Sequence, residues 1–329
     1  MNNKIQKQNY PPIGVSFFKR AFLTVLGTVL FFALSAFMRS KPDKKKLAKS
    51  VKEPCLILST HGSLFDAAYA GRAISPKYYT GVVAKKLFYV PILGKILKKC
   101  GFILKNQFTA DINCIKQIKN SIDANVSVFM CPEGKTSVDG RTSYLAPSVA
   151  KLIKWTGAPV LFYKPNGSYL SAPRFGKTRR GKINVESRLL FTKEETKTLS
   201  ADEIFERLNE AFQYNDHEYQ EKNHLKFKSR APASGLENLL YKCPKCGAEF
   251  QNVSKKDILE CTACGNSVKI DLYGKISPND GNSVAFDRID RWVDFQKAAL
   301  TEEILKSIGE NQTGKKEISG ISDDAKTDG

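Results

Sequence analysis

His61 and Asp66 stand five residues apart in the run His61-Gly62-Ser63-Leu64-Phe65-Asp66. On one continuous helix that spacing is about 140° of rotation, so the two side chains would not share a face. They meet only if the chain turns between them. His61 would end a strand, Ser63 would cap a new helix, and Asp66 would lie in its first turn, folded back onto the imidazole. A carboxylate on one ring nitrogen fixes the tautomer and leaves the other as a general base. Ser63-x-x-Asp66 is also a capping box by itself, with His61 incidental, and the residues alone leave both readings open. A second group follows in Cys131-Pro132-Glu133-Gly134-Lys135-Thr136-Ser137, then Asp139-Gly140-Arg141. A Pro-Glu-Gly turn followed by hydroxyls and cations is a loop suited to holding a polar ligand, or a solvated turn between a strand and a helix. Between the two groups lie Lys85-Lys86, Pro91, Gly94, Lys95, Lys98, Lys99 and Gly101. A third group, Cys243, Cys246, Cys261 and Cys264, forms CxxC–x14–CxxC, a spacing that places four thiolates around one tetrahedral zinc ion. Pro244, Gly247 and Gly265 supply the turn chemistry of the two knuckles. Cys55, Cys100, Cys114 and Cys131 sit singly in apolar stretches and read as small buried hydrophobes.

These groups need strands and helices to hold them. Cys55–Thr60, Val126–Cys131 and Pro159–Tyr163 read as buried strands. Helical patterns lie between them, near Leu64–Ile74, Ile92–Cys100, Asp111–Ala124 and Ser148–Lys154, so the layer class is α/β with a mixed sheet flanked by helices. A capping box at Ser200–Glu203 opens another helix, with Ile204, Leu208, Ala211 and Phe212 on one face. The organisation expected is a basic segment and membrane-associated helix over 1–50 and an α/β domain over 51–225. A linker and zinc ribbon follow over 226–280, a helix over 281–308 and a disordered tail over 309–329.

The helix expected near the N-terminus is Ala21–Met38, 18 residues without a charge, preceded by Lys19-Arg20 and followed by six cations. At 1.5 Å per residue it would be about 27 Å long, borderline for a span of the bilayer and equally suited to a helix lying along one leaflet, with a secretory signal peptide and a buried core helix as the other readings. The excess of cations after it puts the body of the chain on the cytoplasmic side, where reduced thiolates also belong. Of 329 residues, 52 are Lys or Arg and 33 are Asp or Glu, a net charge of +19. The basic excess sits in residues 1–200; residues 201–329, which hold the ribbon, are acidic. That split argues against nucleic acid at the ribbon and for anionic lipid at the basic end. Wholesale disorder, collagen-like repeats and a disulfide framework are excluded by composition. No Walker loop or GxGxxG is present.

The ordered blocks resemble the glycerolphosphate and lysophosphatidic acid acyltransferase family. Its H-x4-D motif is His61…Asp66, its basic-Pro-Gly block is Lys85 to Gly101, its F-P-E-G-T-R-S block is Cys131 to Ser137, and its Pro-Val strand is Ala158-Pro159-Val160. The resemblance covers roughly residues 15–225; a C-terminal zinc ribbon lies outside the general pattern and looks like a bacterial subgroup's appendage. It implies a glycerolphosphate acyltransferase-like fold and His61 and Asp66 as the catalytic pair. It implies acyl-CoA or acyl-carrier protein as donor, and a lysophospholipid such as 1-acylglycerol-3-phosphate as acceptor. Substrate would be bound by Glu133, Gly134, Lys135, Thr136, Ser137, Lys85, Lys105 and Arg141. Two departures stand out: Lys135-Thr136 replaces the family's Thr-Arg, and Gln107 stands where an Arg is common. A bidentate Arg fork is not replaced by Lys or Gln, so the acceptor is open. The competing class is a membrane-tethered zinc-ribbon binding protein with a degenerate catalytic domain.

Overall fold

The computed structural model describes residues 17–42, 47–75, 77–107 and 109–321. The N-terminal basic segment, Lys44–Lys46 and the last eight residues of the expected tail lie outside them. The chain divides into two compact units, Met1–Arg174 with Thr178–Ser229, and Phe175–Lys177 with Arg230–Gly329.

In the first unit the elements run α1 (Phe17–Phe37), β1 (Ser40–Pro42), α2 (Leu47–Ser50), β2 (Leu56–Ser59), α3 (Asp66–Ile74) and β3 (Tyr79–Ala84). A 3-10 turn (Lys85–Tyr89), α4 (Leu93–Lys99), β4 (Ile103–Lys105), α5 (Ile112–Asp123), β5 (Ser127–Met130) and α6 (Ser148–Thr156) follow. The unit ends with β6 (Val160–Asn166), α7 (Ser168–Ser171), β7 (Ile183–Phe191), α8 (Lys193–Thr198), α9 (Ala201–Phe212) and α10 (Asp216–Asn223). The strands form one sheet in the order β1-β7-β6-β2-β5-β3-β4. All pairs are parallel except β6 with β7, so the sheet is mixed.

Central strands are buried on both faces, and the period of two sorts their side chains between two cores. Leu56, Leu58, Val128, Val160 and Phe162 face Ile118, Ile153, Leu208 and Phe212 of α5, α6 and α9. Ile57, Phe129, Leu161 and Tyr163 face Tyr69, Ala70 and Ile74 of α3. The helix expected from Ser200 is α9, with its capping box formed and Ile204, Leu208, Ala211 and Phe212 buried.

α1 is 21 residues long and lies against α3. Phe31 packs where a Cβ on Gly71 would meet its ring at 2.6 Å, so only glycine admits this contact. The Phe31 ring stacks on Tyr79 with centroids 6.3 Å apart, and Thr28 Oγ1 and Ser75 Oγ are 2.8 Å apart. Phe22, Val25, Leu26, Val29 and Leu30 are exposed. Among the described residues no helix is long and apolar enough to cross a membrane. The spanning reading of α1 is therefore not supported.

The second unit holds an antiparallel sheet, order β11-β10-β9-β8, made of β8 (Asn252–Lys255), β9 (Ile258–Cys261), β10 (Ser267–Ile270) and β11 (Ile276–Pro278). Its core joins Leu259, Val268 and Ile270 to Ile289, Trp292 and Val293 at the start of α11 (Ile289–Ile321). Trp292 Nε1 donates to the Lys242 carbonyl at 2.9 Å, fixing that helix to the first knuckle. α11 starts eight residues later than the expected 281 and continues to Ile321, past the expected end at Ile308. The run beyond Gly309 is polar and carries Gly314 and Gly320, which composition alone reads as tail.

Candidate active site

β2 and β5 are parallel neighbours, with Leu58 opposite Met130. Their carboxyl ends therefore release His61 and Cys131–Glu133 side by side, the edge where α/β sheets bind ligands. Both expected groups meet there.

His61 Nδ1 lies 3.1 Å from Asp66 Oδ2. The same carboxylate accepts from Ser63 N at 2.8 Å and Ser63 Oγ at 3.2 Å. Ser63 does not cap the helix as expected: α3 starts at Asp66 with Phe65 at its N-cap and no side-chain cap, and the Asp66 carboxylate instead ties the Ser63 peptide to the imidazole. Asp66 is fully buried while the His61 side chain is 22% exposed, so the orienting group is shielded and the ring is accessible. Gly62 is required between them, because a Cβ there would meet Ser168 Oγ at 2.3 Å.

The second loop holds the histidine's backbone. His61 N donates to Glu133 Oε1 at 2.9 Å, and Ser137 N donates to the His61 carbonyl at 2.7 Å. Glu133 Oε2 accepts from Ser143 N at 2.8 Å. Gly134, at φ +72°, follows in the turn closed by its own N–H on the Cys131 carbonyl. Burial pushes the Glu133 carboxyl up to about 7, against the two backbone donors that favour its charged form. Burial works against a charged His61, Cys131 and Asp66 work for it, and the balance raises the imidazole pKa. The Cys131 thiol, next to the imidazole, is itself pushed up by burial. It was expected as a plain buried hydrophobe; nothing in its apolar run marks it as a neighbour of the histidine.

The remaining candidates divide. Ser137 Oγ accepts from Gly140 N and donates to the Arg141 carbonyl, so its hydroxyl is committed to shaping the loop. Thr136 is buried and Lys135 exposed. Arg141 grips Asp139 Oδ2 through Nε and a terminal nitrogen at 3.1 and 2.6 Å. Lys105 Nζ donates to the carbonyls of Asn106 and Thr109, and Lys85 lies on an exposed turn after β3. Gln107 donates its amide to the Gly134 carbonyl at 3.0 Å, joining the second block to the third.

Sequence reasoning missed the support behind this loop. Asp216 accepts from Gly167 N and Tyr169 N, both at 2.9 Å, and is pushed up to about 7 by burial. Its neighbour His217 places Nε2 2.9 Å from the Asp139 carbonyl. Asn215-Asp216 at the start of a helix offers only a capping signal in sequence.

In the second unit, the Sγ atoms of Cys243, Cys246, Cys261 and Cys264 all lie within 4.8 Å of one another. Cys243–Cys264 and Cys246–Cys261 are separated by 3.8 and 3.9 Å. Tetrahedral zinc with bonds of about 2.3 Å requires sulfurs about 3.8 Å apart, so this set could hold a metal ion such as zinc. Gly247 and Gly265, at φ +74° and +71°, close the two knuckles.

Residues 40–161 match the model of the Acyltransferase family, and that segment, which carries His61, Asp66 and Glu133, is acyltransferase-like. A chloroplastic 1-acyl-sn-glycerol-3-phosphate acyltransferase of Brassica napus is 25% identical over 136 residues, 40% of this chain and 39% of the relative. The match therefore spans about two fifths of that relative's length. The fold is similar to the crystal structure of the 1-acyl-sn-glycerophosphate (LPA) acyltransferase PlsC from Thermotoga maritima. The TM-score is 0.51 and the identity 13%, over 59% of this chain and 78% of that one.

Removing the carboxylate from the dyad should let the imidazole lose its proton at lower pH. In Asp66→Asn, NMR titration of His61 should move down toward the ordinary histidine value of about 6.5. An unmoved midpoint would show that Asp66 does not set the charge of the ring.

Proposed function

We propose that the chain is a membrane-associated O-acyltransferase. It moves a fatty acyl group from acyl-CoA or acyl-carrier protein to a hydroxyl of a lysophospholipid, in phospholipid biosynthesis or remodelling. The observation that carries this reading is the 3.1 Å contact of His61 Nδ1 with a buried Asp66, beside the Glu133 loop and within the acyltransferase-like segment.

The chemistry follows from the geometry. Asp66 holds Nδ1, so Nε2 is the nitrogen left for proton transfer. It takes the proton of the acceptor hydroxyl as the oxygen attacks the thioester carbonyl. Asp66 stabilises the imidazolium formed. When the tetrahedral intermediate collapses, the C–S bond breaks and the imidazolium proton goes to the leaving thiolate. The thioester carries its own activation, so the transfer needs no further cofactor.

Glu133 and Ser137 act on the histidine's peptide and so position the base. Gln107, in place of an arginine, is occupied with the Gly134 carbonyl. Arg141 is paired with Asp139. Phosphate recognition on the acceptor then falls to exposed lysines such as Lys135, Lys85 and their neighbours. Such point charges tolerate a range of head groups better than a guanidinium fork does. α1 lies along the cytoplasmic leaflet with Phe22, Val25, Leu26, Val29 and Leu30 in the acyl region, which is where the first unit's positive charge favours it. The four cysteines hold one structural zinc that staples the second unit.

Purified protein should release free thiol from acyl-CoA or acyl-carrier protein only when a lysophospholipid is present. His61→Ala should lower that rate by about 10²–10⁴-fold. Absence of transfer in the wild type across donors and acceptors would refute the reading. Metal analysis should find one zinc per chain, lost in Cys246→Ser/Cys264→Ser and retained in Cys55→Ser. A wild-type chain purified without zinc, with an intact second unit, would refute the staple.

A further inference from the structure

The chain after β3 makes an apolar projection that the transfer chemistry does not use. The 3-10 turn ends at Tyr89, and Pro91-Ile92-Leu93 then closes a γ-turn, Leu93 N donating to the Pro91 carbonyl at 2.7 Å. Ile92, at its apex, has φ +65° and ψ −58°. That region is strained for any L residue and more so for a β-branched one. Gly94 is enclosed, since a Cβ there would meet the Phe88 carbonyl oxygen at 2.0 Å, so the turn is held tightly from behind. Yet what it presents is not packed: Tyr89 is 73% exposed, Ile92 74% and Ile96 50%. A turn selected for solubility alone would carry glycine or asparagine at the apex. Strain that exposes a large aliphatic side chain points to a partner outside the chain.

The surrounding charge says which partner. Lys85, Lys86, Lys95, Lys98 and Lys99 are all exposed around the projection. No Asp or Glu occurs anywhere between Asp66 and Asp111. An apolar apex ringed by flexible ammonium groups matches the layered chemistry of an anionic bilayer, with acyl chains below and phosphates above. An acidic protein would satisfy the lysines and leave the strained apex unexplained. β3 runs parallel to β5, so the projection leaves the same edge of the sheet as the Glu133 loop.

We infer that residues 87–99 form a second membrane-docking element, distinct from α1, which inserts Tyr89, Ile92 and Ile96 into an anionic lipid leaflet. The inference does not depend on acyl transfer, and its test reads lipid contact without turnover. In full-length Ile92→Trp, the emission added over the wild-type background should shift to the blue when phosphatidylcholine–phosphatidylglycerol vesicles are added. Brominated acyl chains should then quench it. Pure phosphatidylcholine should give a weaker response, and Lys98→Glu/Lys99→Glu in the same background should shift the lipid titration at least tenfold. The exposed site makes Ile92→Trp a mild change, and an unaltered melting temperature confirms folding. If the protein sediments with vesicles while the added emission stays unshifted and unquenched, the apex is outside the bilayer and the inference fails. Failure to bind vesicles also overturns it. So does a blue shift produced by acyl-carrier protein in place of lipid, which would make the projection a protein-docking patch.

Discussion

One desolvated carboxylate ties the candidate site together. Glu133 accepts from the peptide N–H of His61 on one oxygen and from that of Ser143 on the other. It therefore joins the end of β2 to both ends of the loop that follows β5. Ser137 N closes the frame by holding the His61 carbonyl. Both backbone polar groups of the histidine are thus fixed by the second block, while its ring is fixed by the first. A buried carboxyl that burial raises to about 7 is costly to keep ionised, and only the ionised form accepts fully at both oxygens. The two N–H donors offset that cost, which is why the frame works as a unit.

The sheet makes the frame possible. Adjacent parallel strands release their loops at one edge, and burial on both faces fixes their register. Behind the first loop, α7 comes close enough to exclude any side chain at position 62. Asp216 anchors that helix by its first backbone amides, and His217 reaches the loop near Asp139. The support runs in series from α10 through α7 to Gly62 and on to the His61 imidazole.

Much of this was legible in the residues, for reasons that differ by element. Strands β2, β5 and β6 show as apolar runs because both their faces are buried. The His–Asp pair shows because a turn from strand into helix lets a spacing of five close. The cysteine quartet shows because tetrahedral coordination constrains spacing so tightly. What was hidden depends on distant partners. β1 is three residues in a lysine-rich stretch and exists only through pairing with β7. β7 mixes Asn, Glu, Ser and Arg into its alternation because it leaves the doubly buried part of the sheet. Cys131 beside His61, Gln107 on Gly134 and Ser143 on Glu133 are tertiary contacts across 70, 27 and 10 residues of sequence, with no local signature.

In the proposed function Glu133 serves the reaction by holding the His61 peptide and does not bind the acceptor. The direct test is steady-state acyl transfer by Glu133→Gln, whose single amide oxygen cannot serve both N–H donors. The account predicts that kcat falls by about 10²-fold, the scale of a base displaced by an ångström, while KM for donor and acceptor stays close to wild type. A preserved kcat with a sharply raised acceptor KM would contradict it.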